Sequence, residues 1–211
     1  MEYLLSKGGI IIYPLLLASI ISVTVVLERG YYFLINPKMI KEKVMKKIIN
    51  QVKSDNIDKA VLICERNGGI VSKVIKRGIL NLNKDSEELI RLMEEVKWDD
   101  FPEFEKRLEV LNFIGKISPS LGLLGTVTGM IETFHVLSMS GKAQQLAGGI
   151  SEALISTAAG LIISIPTLGA YHYFMSKINK MVNHTEKRIM EIVNLKIMLN
   201  ESRVGVDDNE I

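Results

Sequence analysis

One carboxylate, Glu152, stands at the head of a stretch that is uncharged from there to Lys177, read from Gly148 as GGISEALISTAAGLIISIPTLGAYHY. An ionisable group inside a membrane span is expensive, by about 2.5 to 3.5 kcal/mol on insertion scales, and such groups usually face a pathway or a partner. In an apolar surround a glutamate favours its protonated form, which equips it to take up and release a proton near neutral pH. The plainer account of Glu152 has it high enough to touch water, or bonded to a neighbouring subunit. Thr126, Thr157 and Ser164 bring hydroxyls that donate and accept alike, as a path for protons or hydrated ions requires; a mid-span threonine also commonly bonds back to its own helix. Steps of 4, 4, 3, 4 and 3 through Gly149, Ala153, Thr157, Gly160, Ser164 and Thr167 draw one small, polar stripe along a helix. Glu152 lies off that stripe, about 140° of rotation from Thr157. The stripe is expected to face a pore, and Glu152 to reach toward the helix of Thr126 or an adjacent subunit.

Glu132, His135 and His172 are further ionisable groups near span ends. Histidine titrates in the range a proton relay needs, while interfacial placement is the plainer account of all three. No paired-cysteine, His-x-x-x-His or clustered-carboxylate pattern suggests a metal or other cofactor, and no nucleophile elbow or supported acid/base pair suggests an enzyme. Cys64 is the single cysteine and reads as an inert buried thiol.

These groups need helices that cross a membrane. Of 211 residues, 47% are hydrophobic and 24% charged, and the charges collect in two blocks that leave three long stretches nearly free of them. That distribution gives an all-α membrane protein with a soluble portion. Its net charge of +2 comes from alternating signs without a basic patch, which argues against nucleic acid. The first span is placed at residues 8–27, with Pro14 in its first turns and Tyr31, Tyr32 and Phe33 as an aromatic belt; it lacks the cleavage site of a signal peptide.

Residues 28–115 read as a helical cytoplasmic domain that packs and orients the spans. It opens on Lys38, Lys41, Lys43, Lys46 and Lys47, interleaved with Ile40, Val44, Ile48 and Ile49 as one amphipathic helix. Asp55 with Asp58, and Asp85 with Glu88, resemble helix starts, and Asn67, Gly68 and Gly69 a break. Glu103 to Leu111 reads as a charged amphipathic helix. The second span is placed at 116–137, with Lys116 snorkelling from one end, and Gly122, Gly125 and Gly129 offering a face for close helix approach. Gly160 offers the same on the third span, 148–176. A loop at 138–147 carries Lys142, and residues 177–211 form a helix and an acidic tail from Asp207 to Glu210. Basic residues beside the spans put residues 28–115 and the C-terminus in the cytoplasm, with residues 1–7 and the loop outside.

Two of these stretches, PSLGLLGTVTGMI from Pro119 to Ile131 and GISEALISTAAGLIISIP from Gly149 to Pro166, closely resemble the MotA/TolQ/ExbB proton channel family, in its ExbB and TolQ branch. The resemblance implies a homopentamer whose second and third spans line a central pore, in a bacterial inner membrane. It implies a partner dimer in that pore, ExbD or TolR, whose single span carries a proton-binding aspartate, and an energy transducer such as TonB or TolA. By motif position it places pore-facing threonines at Thr126 and Thr157 and the third-span glutamate at Glu152. The chain departs from the pattern at Lys116, Ser118 and His172, all toward the cytoplasmic mouth. Proton-driven, TonB-dependent transport is the function this implies. The alternatives are a TolQ-like role in envelope integrity or another surface motor and, from a different class, a passive scaffold with no ion path.

Overall fold

The computed structural model describes residues 10–35, 39–140 and 143–207, which form seven helices. They are α1 (Ile12–Ile35), α2 (Glu42–Lys53), α3 (Ile57–Asn67), α4 (Gly69–Leu80), α5 (Ser86–Glu105), α6 (Leu108–Ser140) and α7 (Ala143–Asp207). Residues 1–7, the first two residues of the first expected span, Lys38, Lys142 and the acidic tail beyond Asp207 lie outside the described residues. Among the described residues, three segments are long and apolar enough to cross a membrane: Ile12–Ile35, Leu108–Met139 and Ala147–Glu201. The protein is thus an all-helical membrane protein with three candidate spans. At about 1.5 Å per residue, α6 and α7 are each longer than the ~30 Å hydrocarbon core, so both extend beyond it as unbroken helices.

The chain divides into two compact units. The first comprises the described residues within Met1–Tyr31 together with Arg107–Met175, and holds nearly all of α1, all of α6 and the first part of α7. Pro14 falls in the first turn of α1, where a missing N–H leaves no intrahelical bond unmade. Pro119 falls inside α6 and cannot bond the Gly115 carbonyl; the Ser164 hydroxyl donates to that carbonyl at 2.6 Å instead.

The second unit comprises Tyr32–Lys106 and the described residues from Ser176. Its core follows helical spacing: Met45, Ile48 and Val52 on α2, Val71, Val74 and Ile75 on α4, Leu89 and Met93 on α5, and Ile178, Ile189 and Ile192 on α7, all buried. A side chain at Gly78 would run into Met93 and Ile192, so α4 packs closely on α5 and α7. Phe104 meets Tyr32, Phe33 and Phe101 with ring centroids 5.5 to 6.2 Å apart. The aromatic residues read as an interfacial belt thereby join, through Tyr32 and Phe33, the packing of this unit.

Three helix boundaries differ from the sequence reading, the first being the loop expected at 138–147, where α6 continues to Ser140 and α7 already begins at Ala143. Asp85 caps α5 as expected, accepting from the Glu87 N–H at 3.3 Å. Asp55 does not cap α3: it takes a left-handed φ of 57°, and Asn56 occupies the cap position. Glu103–Leu111 is not one helix either. α5 ends at Glu105, Arg107 turns left-handed at φ 67°, and α6 starts afresh at Leu108. The Arg107 guanidinium bonds the Glu28 carboxylate on α1. The expected break at Gly68 is present, with φ of 65° and 79° at Gly68 and Gly69.

The second unit also buries cations. The Arg188 side chain is 3% exposed, donates to both oxygens of Glu191 at 2.8 and 2.6 Å, and reaches Glu42 on α2 at 2.9 Å. That guanidinium holds the Glu42 carboxyl below its ordinary value, and Asp85 is held low by the backbone N–H groups of Ser86 and Glu87. Burial, then the charge of Arg188, lowers His184. Burial pushes the Cys64 thiol up to about 11.

Candidate functional site

Within the first unit, α6 and α7 meet along a seam of small residues. A Cβ added at Gly160 would stand 2.5 Å from the Ser118 carbonyl oxygen, and one at Gly122 would stand 2.7 Å from the Ser156 carbonyl oxygen. Both obstacles are backbone, so only glycine permits this approach. Gly125 faces Ser156, and Gly129 faces Ala153. The stripe through Gly149, Ala153, Thr157, Gly160 and Ser164 is therefore the face that α7 lays on α6 of the same chain. Its small residues permit that approach.

Mid-seam, Thr126 of α6 and Thr157 of α7 join hydroxyl to hydroxyl. Thr126 can also donate to the Ala153 carbonyl at 3.1 Å or the Gly122 carbonyl at 3.3 Å, and Thr157 to the Gly122 carbonyl at 3.1 Å. Two hydroxyl protons serve more acceptors than they can fill at once, so the pair has several arrangements of nearly equal bonding. Such a pair can pass a proton by rotation. Ser164 differs, because its proton is engaged by the carbonyl that Pro119 leaves free.

Toward the Ser140 end of the seam, Glu152 lines a cavity of about 560 Å³ with Glu132, Thr128, Thr133, Ser156 and residues 10–11 ahead of α1. Glu152 is half-buried; Glu132 and His135 are exposed. His172 is exposed on α7 and stacks edge-on with Tyr171, their centroids 5.1 Å apart. Lys116 is exposed, while Ser118 is buried and donates to the Ile114 carbonyl at 2.7 Å. The structure brings together Thr126 with Thr157, and Glu132 with Glu152; His135 and His172 join neither group. Thr128 and Thr133 escaped sequence reasoning. Their signal was present as spacing, since 125, 128, 129, 132, 133 and 136 on α6 follow helical steps, as do 149, 152, 153 and 156 on α7. Among the described residues, no three His, Cys, Asp or Glu side chains are grouped to hold a metal ion.

The sequence profile of the MotA/TolQ/ExbB proton channel family matches residues 66–187, which include the whole seam. The chain belongs to this proton channel family. Similar proteins include the putative biopolymer transport protein ExbB-like 1 of Synechocystis sp., 35% identical over 176 residues, covering 81% of this chain and 68% of the relative. The biopolymer transport protein exbB1 of Vibrio cholerae is 30% identical over 175 residues, covering 80% of this chain and 76% of the relative. A shorter stretch of 77 residues, 36% of this chain and 34% of the relative, is 42% identical to the Tol-Pal system protein TolQ of Haemophilus influenzae. Glu132, Thr126, Glu152 and Thr157 all fall inside the stretch that the channel family matches.

Proposed function

We propose that this chain is the channel subunit of an inner-membrane proton motor, with Glu152, Thr126 and Thr157 on the proton path. The observation that carries this reading is the hydroxyl pair of Thr126 and Thr157, joined across two spans and about one helical turn from the level of Glu152. Ser164, Gly122, Gly125, Gly129 and Gly160 hold those spans together. In this reading the chain assembles as a homopentamer around a dimer of an ExbD-like partner with one span. The N-terminus and the 138–147 connection face the periplasm, and the second unit and the C-terminus face the cytoplasm. The outward apolar faces of α1, including Leu17, Ile20 and Leu27, meet lipid.

Proton flow then drives a TonB-like transducer for transport across the outer membrane, in line with the biopolymer transport proteins among its relatives. A TolQ-like role in envelope integrity is the second reading, favoured by the TolQ stretch. Deleting the gene separates them, because the first predicts loss of uptake with an intact envelope and the second a leaky envelope with normal uptake.

The channel itself is tested in liposomes holding the complex purified with its native partner, a potassium diffusion potential and a trapped pH-sensitive dye. Glu152→Gln and Thr157→Val are expected to lower proton flux by roughly a hundredfold, in the range that a positioned proton-transfer group supplies. Native mass spectrometry of the same complexes is expected to give five chains around a dimer. Unchanged flux in both variants would return the chain to a passive scaffold.

A further inference from the structure

The cavity that holds Glu152 holds a second carboxylate, which the threonine pair and Glu152 leave without a part. Resting on the channel reading above, we propose that Glu132 is the outer proton-carrying group of this path, handing protons to Glu152 through water in the shared cavity. The geometry orders the groups along α6. Gly129 lies against Ala153, and Gly149 lies against Thr133, so Glu152 stands level with residue 130. Glu132 is then about 3 Å further toward the Ser140 end, and Thr126 about 6 Å in the opposite direction. Burial follows the same order: Glu132 is exposed, Glu152 half-buried and Thr126 buried. A group that collects protons from water must be wet, and one that relays them across the span must be shielded. Glu132 shares its cavity with Glu152, and Thr126 is shielded between the two helices.

The cavity supplies the medium. About 560 Å³ lined by Glu132, Glu152 and Thr128 among others is roomy enough for several waters, each needing two to four polar partners. Thr128 gives its own proton to the Leu124 carbonyl at 2.9 Å, which leaves its lone pairs toward acceptance. His135, one turn on, is exposed and outside the cavity lining, so the carboxylate rather than the imidazole is the entry group.

The test uses the complex with its native partner, in liposomes under a potassium diffusion potential with a trapped pH dye. Glu132→Gln is expected to lower proton flux by roughly tenfold or more, and Glu132→Asp to restore most of it, because the function needs a carboxyl group and not a shape. The dependence of flux on outside pH is expected to change in Glu132→Gln and to remain in Glu132→Asp. Full flux in Glu132→Gln, alongside loss in Glu152→Gln, would overturn this inference and leave the channel reading intact. Equal loss in Glu132→Gln and Glu132→Asp, with or without altered assembly by native mass spectrometry, would make Glu132 a packing residue and also overturn it. Wild-type flux in Glu152→Gln and Thr157→Val would remove the channel reading and this inference with it.

Discussion

Arg188 belongs, in sequence, to a run of lysines and glutamates that describes a solvated basic helix. In the fold its side chain is 3% exposed and forks between two carboxylates, Nη1 on both oxygens of Glu191 and Nη2 on Glu42. Arg188→Met would leave two carboxylates facing an apolar side chain. Glu191 is 24% and Glu42 58% exposed, so water can reach both and the penalty falls below that of a sealed ion pair. A loss of about 1 to 3 kcal/mol is expected, read from denaturant unfolding of the full chain in nanodiscs, with Arg188→Lys between the two because it keeps the charge and loses the fork. Cys64 gives a second residue-scale expectation. With its pKa pushed up to about 11 by burial, it holds little thiolate at pH 8. Against an ordinary thiol, alkylation by iodoacetamide should be slower by roughly two orders of magnitude, and unfolding should abolish the difference. The buried, inert thiol is the one the sequence reading expects of Cys64, whereas the burial of Arg188 is not visible in sequence, where it is one charge among many.

At the scale of elements, the seam between α6 and α7 was the most legible part of the chain. Its glycines and hydroxyls recur at helical steps inside stretches with few charges, and few other patterns produce that. What the stripe faces was not legible, because close helix packing and a hydrophilic pore both call for small, polar residues. The contact at Gly160 shows close packing at that position, and it yields a paired prediction. Gly160→Ala drives a methyl to 2.5 Å from the Ser118 carbonyl oxygen, while a Cβ at Gly169, on the same helix, meets nothing within 4 Å. Gly160→Ala should therefore destabilise by roughly 1 to 3 kcal/mol, and Gly169→Ala should be neutral or stabilise by up to ~1 kcal/mol through its helix propensity. Thermal melting of both variants in one detergent checks the contrast; similar melting points would remove the argument from close approach. The helix break at Lys106–Arg107 was illegible for another reason. A non-glycine residue in the left-handed region carries no compositional mark, and Arg107 takes that conformation at φ 67°.

At the scale of the whole molecule, the acid response of the chain follows from its second unit. Glu42 and Asp85 are held below ordinary carboxylate values when folded. Their contribution is present above about pH 4, the unfolded range, and is lost as the pH falls through the lowered folded values. His184 is also lowered, by burial first and then by Arg188 at 3.4 Å, with Lys187 opposing its charge and Glu191 favouring it. The unfolded chain therefore takes up this proton first, from about pH 6.5 downward, and the folded state loses ground as it does so. All three groups act with one sign, so the second unit should lose stability in two steps, beginning below about pH 6.5 and again below about pH 4. Unfolding of the full chain in nanodiscs, followed by helicity between pH 7.5 and 3.5, reads this directly. His184→Asn, which cannot titrate, should flatten the first step and leave the second, whereas a first step that persists in that variant would assign it to another group. The membrane candidates Glu132 and Glu152 lie in the first unit, so proton flux and the His184 step should respond to separate substitutions.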